Sequence, residues 1–320
     1  MITNVQSTTV RTPNKTSESE TYRKDNAVFC DFEGRTGYND EFLGTTVPLP
    51  QLDSSIRNSA APLLKDPSQI ELKYTHFSVI QHKERATPLM TAVNIDGSQF
   101  KDLERKGTWV FDGRIAREHQ MGNEAYKDND FDRGHLVRRK DPQWGSQAEG
   151  GSNDTFVYTN SALQHCDLNQ KTWLDVENSV LYGAVATHEK KTVFSGPVLR
   201  DDDPVFDNDG KMALPTKIPQ AFWKVEVWND PTVGLQAEAF VISQKELIGH
   251  PKSNVPYEQM TPMQMQTHRI TMPELEELTH IHFGNLPEGK DRTESDSKAI
   301  IAAGIDLTER PWQKKEAPTE

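Results

Sequence analysis

Phe131-Asp132-Arg133-Gly134-His135-Leu136-Val137-Arg138-Arg139, then Thr159-Asn160-Ser161-Ala162-Leu163-Gln164, then Asn169-Gln170-Lys171-Thr172-Trp173-Leu174-Asp175-Val176-Glu177: these three blocks decide how the chain is read. The first sets a histidine behind an acid, an arginine and a glycine. Gly134 lacks a Cβ, so the backbone can approach a neighbour closely and the residues on either side can turn toward one ligand. Histidine ordinarily titrates near ~6.5, which suits a base that takes a proton from water near neutrality. A lone histidine is more often structural, so the flanking pattern carries the argument. In the third block Asn169, Trp173 and Glu177 recur at every fourth position. At 100° per residue they drift by only about 80°, so they share one helix face. The plain structural reading is a helix with Asn169 as its N-cap and Trp173 in the core.

Working outward, hydrophobic residues make up 34% and charged residues 26% of 320, enough for a core with a strongly polar surface. That length suits one large domain or two small ones. No run approaches the ~18 apolar residues of a membrane span. Residues 1–29 hold no apolar segment behind a basic start, so the expectation is a cytoplasmic protein, or one exported without a Sec signal peptide. Two cysteines, Cys30 and Cys166, make neither a disulfide framework nor a zinc site, and fit a reducing compartment.

The net charge of −12 argues against tight non-specific storage on nucleic acid, which requires a basic face. Basic charge is local instead. Arg133, Arg138, Arg139 and Lys140 stand against Asp132 in one run, while acids collect at Asp201, Asp202, Asp203, Asp207 and Asp209 and again at Glu274, Glu276 and Glu277. The field of a cleft is sufficient to steer an anionic ligand that binds transiently.

Along the chain, residues 1–28 read as a disordered lead-in with almost nothing to bury. Residues 29–72 read as an extended arm packed on the core, 73–285 as one folded domain, and 286–320 as a polar tail. Strands are expected over 74–80, 89–95, 109–111, 155–159, 192–195, 222–228 and 235–241, with a hairpin-style turn at Asp96-Gly97. A helix is expected over 170–187, and a short one after Thr271 as N-cap with Pro273 in its first turn. Strands with interspersed helices give an α+β fold with a mainly antiparallel sheet and flanking helices.

Asp132-Arg133-Gly134-His135, Asn160 with Gln164, and Asn169, Trp173 with Glu177 together resemble the DNA/RNA non-specific endonucleases of the ββα-metal (His-Me finger) class, to which endonuclease G belongs. Softer similarity runs from about Tyr74 to Phe283, through Trp109 to Asp112, Ser195-Gly196-Pro197 and Phe222-Trp223-Lys224. The resemblance implies a ββα-metal active-site motif within residues 73–285 and hydrolysis of DNA and RNA to products carrying a 5′-phosphate. It implies His135 as general base, Arg133 stabilising the transition state, and Glu177 orienting a water near the leaving group. It implies Asn169 as the direct protein ligand of one Mg²⁺, with Mn²⁺ as a substitute, and Asn160 positioning the substrate or the site loops. Arg138 and Arg139 are expected, with Asn160, to be substrate-binding. A neutral amide ligand suits this chemistry, because Mg²⁺ prefers oxygen and keeps several waters, and its uncompensated charge is the stronger Lewis acid. Asp132 is read as structural, ordering the arginine or the turn.

The pattern departs from the family at three positions. Leu163 and Leu181 stand where members carry proline and arginine, and the arginine expected before Trp109 has Arg105 and Lys106 as candidates. A rival reading is a nucleic-acid-binding or regulatory protein that keeps the fold and has lost efficient cleavage, resting on the net charge and Leu181. Retention of His135, Asn169, Arg133 and Glu177 weighs against it. The resemblance also allows a homodimer. A nuclease without a signal peptide calls for restraint, by an inhibitor or immunity partner or by the N-terminal arm; no membrane partner is expected. Asp207-Asn208-Asp209-Gly210 fails the EF-hand pattern at Val205 and Thr216 and reads as a solvated loop. His280 and His282 lack a third metal ligand, and Cys166 beside His165 has no oxyanion motif.

Overall fold

The stretch Thr87–Asp96 is buried along its entire length, so the sheet that contains it needs cover on both faces. The computed structural model describes residues 28–253 and 267–287. In chain order its principal elements are β1 (Glu71–Lys73), β2 (Phe77–His82), β3 (Thr87–Asp96), β4 (Phe131–His135), β5 (Ser161–His165), helix α1 (Trp173–Thr187), β6 (Lys190–Val198), β7 (Ala221–Asp230), β8 (Gly234–Ser243), β9 (Thr267–Ile270) and helix α2 (Met272–Thr279). Seven strands form the main sheet in the order β9-β8-β7-β6-β3-β2-β1, and every neighbouring pair is antiparallel. The α+β class with a mainly antiparallel sheet is therefore as expected.

On one face α1 lays Val180, Leu181 and Ala184 against Val93, Ile95 and Val193. On the other, Phe42, Leu43, Val47, Leu52 and Ala60 pack with Phe194, Trp223 and Val225, joined by Leu275 of α2. Each such Leu, Val or Phe contributes about 1.5–3 kcal/mol on burial. Leu181 is fully buried, so a cation at that position would lie in the core rather than in a cleft. No described helix is long and apolar enough to cross a membrane.

Two local expectations are corrected. Residues 155–159 do not form a strand: Thr155 caps the short helix Ala148–Asp154, its Oγ1 donating to the Ser152 carbonyl at 2.7 Å. The next strand begins only at Ser161. The segment makes one isolated parallel bridge, Val157 to Val110, rather than a ladder, and Tyr158 stacks against Trp109 and Phe111 at ring separations of 5.4 and 4.5 Å. Asp96-Gly97 is not a hairpin turn either. The Asp96 carboxylate accepts from the amides of Ser98 and Gln99 and caps a 3-10 turn over Gly97–Gln99. Gly97 packs on the end of α1, where a Cβ would stand 2.0 Å from the Ala184 carbonyl oxygen. The helix after Thr271 has the expected N-cap and early proline, and Glu274 completes a capping box with Thr271.

Candidate active site

β4 and β5 form an antiparallel pair outside the main sheet, in register Asp132 to Gln164, Gly134 to Ala162 and His135 to Ser161. The chain then runs directly into a π-helical turn, Leu168–Thr172, and on into α1. A strand, a strand and a helix thus follow one another in space. Gly134 is needed by contact: a Cβ there would stand 2.0 Å from Gln164 Oε1. Gln164 is fully buried and neither of its amide atoms has a hydrogen-bond partner.

His135 ends β4 with its ring between Trp109 (4.9 Å) and Phe156 (5.3 Å, edge-on). Its Nε2 is buried without a hydrogen-bond partner. Burial, then the charges of Arg105, Arg139 and Arg133, push the imidazole down to about 3, against a backbone hydrogen bond at Arg133 that raises it. The ring is therefore neutral at pH 7, with its acceptor nitrogen free. Arg133 lies over Trp109 at 5.4 Å and donates to Asn123 Oδ1. Arg105 lies over Phe156 at 5.1 Å and is the first-ranked charge acting on His135, so of the two candidates before Trp109 it is the one at the site. Arg139 donates to the Leu103 carbonyl at 2.9 Å.

Asn160 is fully buried: its Oδ1 accepts from the Val137 amide at 2.9 Å and its Nδ2 donates to the carbonyls of Val137 and Thr155. Of the two roles expected of it, these contacts serve the positioning of site loops rather than substrate contact. Arg138 is likewise turned inward, its side chain only 11% exposed, with Nη2 on Asn178 Oδ1 at 2.6 Å and Nε 3.8 Å from Glu177 Oε2.

Asn169 is not an N-cap but sits inside the π turn, whose wider i→i+5 bonding is frequent at functional sites. Its Nδ2 donates to Asp132 Oδ2 at 2.8 Å, and Gln170 Nε2 donates to the same oxygen. Asp132, expected to order the arginine or the turn, orders these two amides of the π turn. Because a carboxylate only accepts, the pairing fixes which way the amide faces and leaves Asn169 Oδ1 as a free acceptor. A hard cation that prefers oxygen fits that donor. Among the described residues no three His, Cys, Asp or Glu side chains converge on a metal site.

Glu177 is 7% exposed and its Oε1 has no hydrogen-bond partner. Burial pushes its carboxyl up to about 7, opposed by Arg138 and Lys224 and reinforced by Asp141. Asp141 is itself pushed up to about 6 by burial. Asp141 carries no motif of its own and Lys224 lies only in the softer Phe222-Trp223-Lys224 similarity; the fold brings both within electrostatic reach of Glu177. The other signals resolve simply. Cys166 is buried and its thiol is raised by burial and by Asp167 and Asp132, which disfavours the reactive thiolate. Asn208 pins its loop by donating to the carbonyls of Glu124 and Lys127. His280 caps α2 in the left-handed region, and His282 lies near Asp53 and Glu276.

Comparison with known proteins bears on the same stretch. The DNA/RNA non-specific endonuclease family matches residues 59–289. An uncharacterized protein of Sinorhizobium fredii is 38% identical over 67% of this chain and 33% of its own length. Mitochondrial endonuclease G of Bos taurus is 27% identical over 48% of each chain, and that of Homo sapiens 31% identical over 31% of each. The chain therefore spans half or less of the length of these relatives. A chain of the solved EndoG/EndoGI complex, a structure concerned with EndoG inhibition, matches with a TM-score of 0.52 at 16% identity, covering 66% of this chain and 84% of that one, a likeness of fold. With the family matched over most of its folded length, the chain belongs to the DNA/RNA non-specific endonucleases.

Proposed function

We propose that this chain is a Mg²⁺-dependent endonuclease that hydrolyses phosphodiester bonds within DNA and RNA with little sequence preference. The observation that carries the reading is His135: a neutral imidazole with an unpartnered Nε2, packed between Trp109 and Phe156 and ringed by Arg105, Arg133 and Arg139.

In this reading the three guanidiniums hold the phosphodiester anion. They also explain an apparent mismatch, since a base near 3 is weak for catalysis at pH 7. Burial is the larger cause of that depression and the positive charges the lesser; a bound phosphate offsets the charges, so proton affinity rises when substrate arrives. His135 Nε2 then takes a proton from the attacking water as the new P–O bond forms and the bond to the leaving O3′ breaks, giving a 5′-phosphate. Arg133 counters the charge that builds on the phosphorus oxygens. Asn169 Oδ1, fixed by Asp132, is the protein ligand for Mg²⁺, with Mn²⁺ as a substitute. When bound, the ion supplies Lewis acidity toward a phosphate oxygen and the leaving group. Glu177, with Oε1 free, orients a water beside that group. Asn160 holds the loops after His135 and before β5 in place.

The test is digestion of plasmid and RNA with Mg²⁺ or EDTA, using wild type and His135→Ala. Loss of cleavage with EDTA, and a fall of about 10²-fold or more in the variant with the fold intact, are the expected results. A fully active His135→Ala protein rejects the assignment of the base. A wild type inactive with every divalent ion favours the rival reading of a silenced binding protein.

A further inference from the structure

Lys224 lies in the middle of β7, 1% exposed, where a charged side chain is costly unless compensated. Its Nζ donates to the neutral Ser195 Oγ at 2.9 Å and stands 4.6 Å from the Trp173 ring centroid. The nearest carboxylate on its own strand, Glu226, is taken by Lys191 in a buried pair, so it does not serve Lys224 alone. The largest carboxylate influence on Lys224 is Glu177, followed by Asp141. Trp173 stands one turn before Glu177 on the same helix, so the helix face that Lys224 meets at Trp173 is the face that carries Glu177.

We propose that Lys224 is a positioning residue for Glu177: its ammonium, anchored by Ser195 and roofed by Trp173, completes with Arg138 a buried cationic seat that holds the Glu177 carboxylate toward the site. The inference rests on the nuclease reading above and adds to it a residue from the main sheet, remote in sequence from all three motif blocks. The groups facing Glu177 are Arg138 from the loop after β4, Asp141 from the turn that follows, and Lys224 from β7. Two cations thus meet two carboxylates, and removing either cation leaves the carboxylates under-compensated. Burial and the Asp141 charge already favour a protonated Glu177, and Lys224 works against both.

The test is a double-mutant cycle with Lys224→Met and Glu177→Gln, read as kcat and KM separately. Lys224→Met removes the charge at nearly constant length. It is expected to lower kcat by about 10-fold or more with KM changed less than about 2-fold, and to cost no further activity when Glu177 is already glutamine. Losses that multiply in the double variant, or a Lys224→Met protein at the wild-type rate, overturn the proposal. A second arm needs no turnover: in metal-free protein, the carboxyl ¹³C titration of Glu177, assigned by its absence in Glu177→Gln, moves to higher pH in Lys224→Met. An unmoved midpoint also overturns it. If Lys224→Met does not fold, Ser195→Ala, which frees the ammonium from its anchor, enters the same cycle and titration. A wild type that cuts no nucleic acid removes the nuclease reading, while the titration still decides whether Lys224 governs Glu177.

Discussion

Asp132 Oδ2 accepts from Asn169 Nδ2 at 2.8 Å, joining the strand that carries His135 to the turn that carries the metal-ligand candidate. The bond makes the amide's orientation a property of the β4 strand rather than of its own helix. Asp132→Ala removes the acceptor of both Asn169 and Gln170, while Gln170 keeps the Lys252 ammonium on its Oε1. Partners just outside a ligand typically contribute 10–100-fold to metal affinity, so half-maximal Mg²⁺ is expected to rise by about that factor. Both amides are partly or fully exposed and water can replace the lost acceptor, so stability falls by only about 1 kcal/mol. A Mg²⁺ titration of cleavage beside a thermal melt checks this, and unchanged metal dependence would leave Asp132 a role in the fold alone.

Arg105 is exposed yet heads the charges acting on His135. Protonating the ring adds positive charge next to a guanidinium, so Arg105→Gln raises the imidazole pKa. The acid limb of kcat/KM reports the free enzyme and is expected below the ordinary ~6.5 in wild type. In the variant it moves to higher pH, by a few tenths of a unit to about one unit. The difference shrinks at high salt, because an exposed charge is screened. Superimposable pH–rate profiles would remove Arg105 from the site's electrostatics.

Gly97 marks where the strand–turn–helix packing has no room. The atom a Cβ would meet at 2.0 Å is the backbone oxygen of Ala184, which cannot swing aside as a side-chain end can. Gly97→Ala is expected to cost about 1–3 kcal/mol by overpacking. For a domain of this size that lowers Tm by roughly 2–4 °C per kcal/mol. A melt unchanged within a degree would show that α1 shifts without penalty.

The residues legible in the sequence were those tied together by local spacing. His135 and Gly134 adjoin, Asn169 and Glu177 share a helical run, and the strands 222–228 and 235–241 announce themselves by alternation. Long-range partners were not legible. Nothing near Asp132 says that its carboxylate meets Asn169, since that depends on where β5 delivers the chain. Lys224 enters only through the softer Phe222-Trp223-Lys224 similarity and otherwise reads as an alternating polar residue; its burial under Trp173 of α1 depends on the fold. Arg138 adjoins Arg139 and invited the same role, but the loop after β4 sends one inward to Glu177 and leaves the other at Leu103. Residues 155–159 misled because aromatic alternation fits stacked rings as well as a ladder.

Glu177 makes stability depend on pH in a direction opposite to an ordinary salt-bridged carboxylate. Its folded pKa, about 7, lies above the ordinary 4.5, so the folded state holds the proton more tightly than the unfolded state. The stabilisation is fully present below about pH 4.5 and is lost as pH rises through about 7. Asp141, pushed up to about 6, has the same sign, and the two titrate as a coupled pair. Glu177→Gln has no proton to lose at this position. Measured in EDTA from pH 5 to pH 8, its stability relative to wild type is expected to improve by roughly 1–3 kcal/mol. Arg138 and Lys224 hold the change toward the lower end, because they favour the charged form. Parallel Tm–pH curves for the two proteins would mean that the buried seat neutralises Glu177 completely, and that its proton is already lost at pH 5.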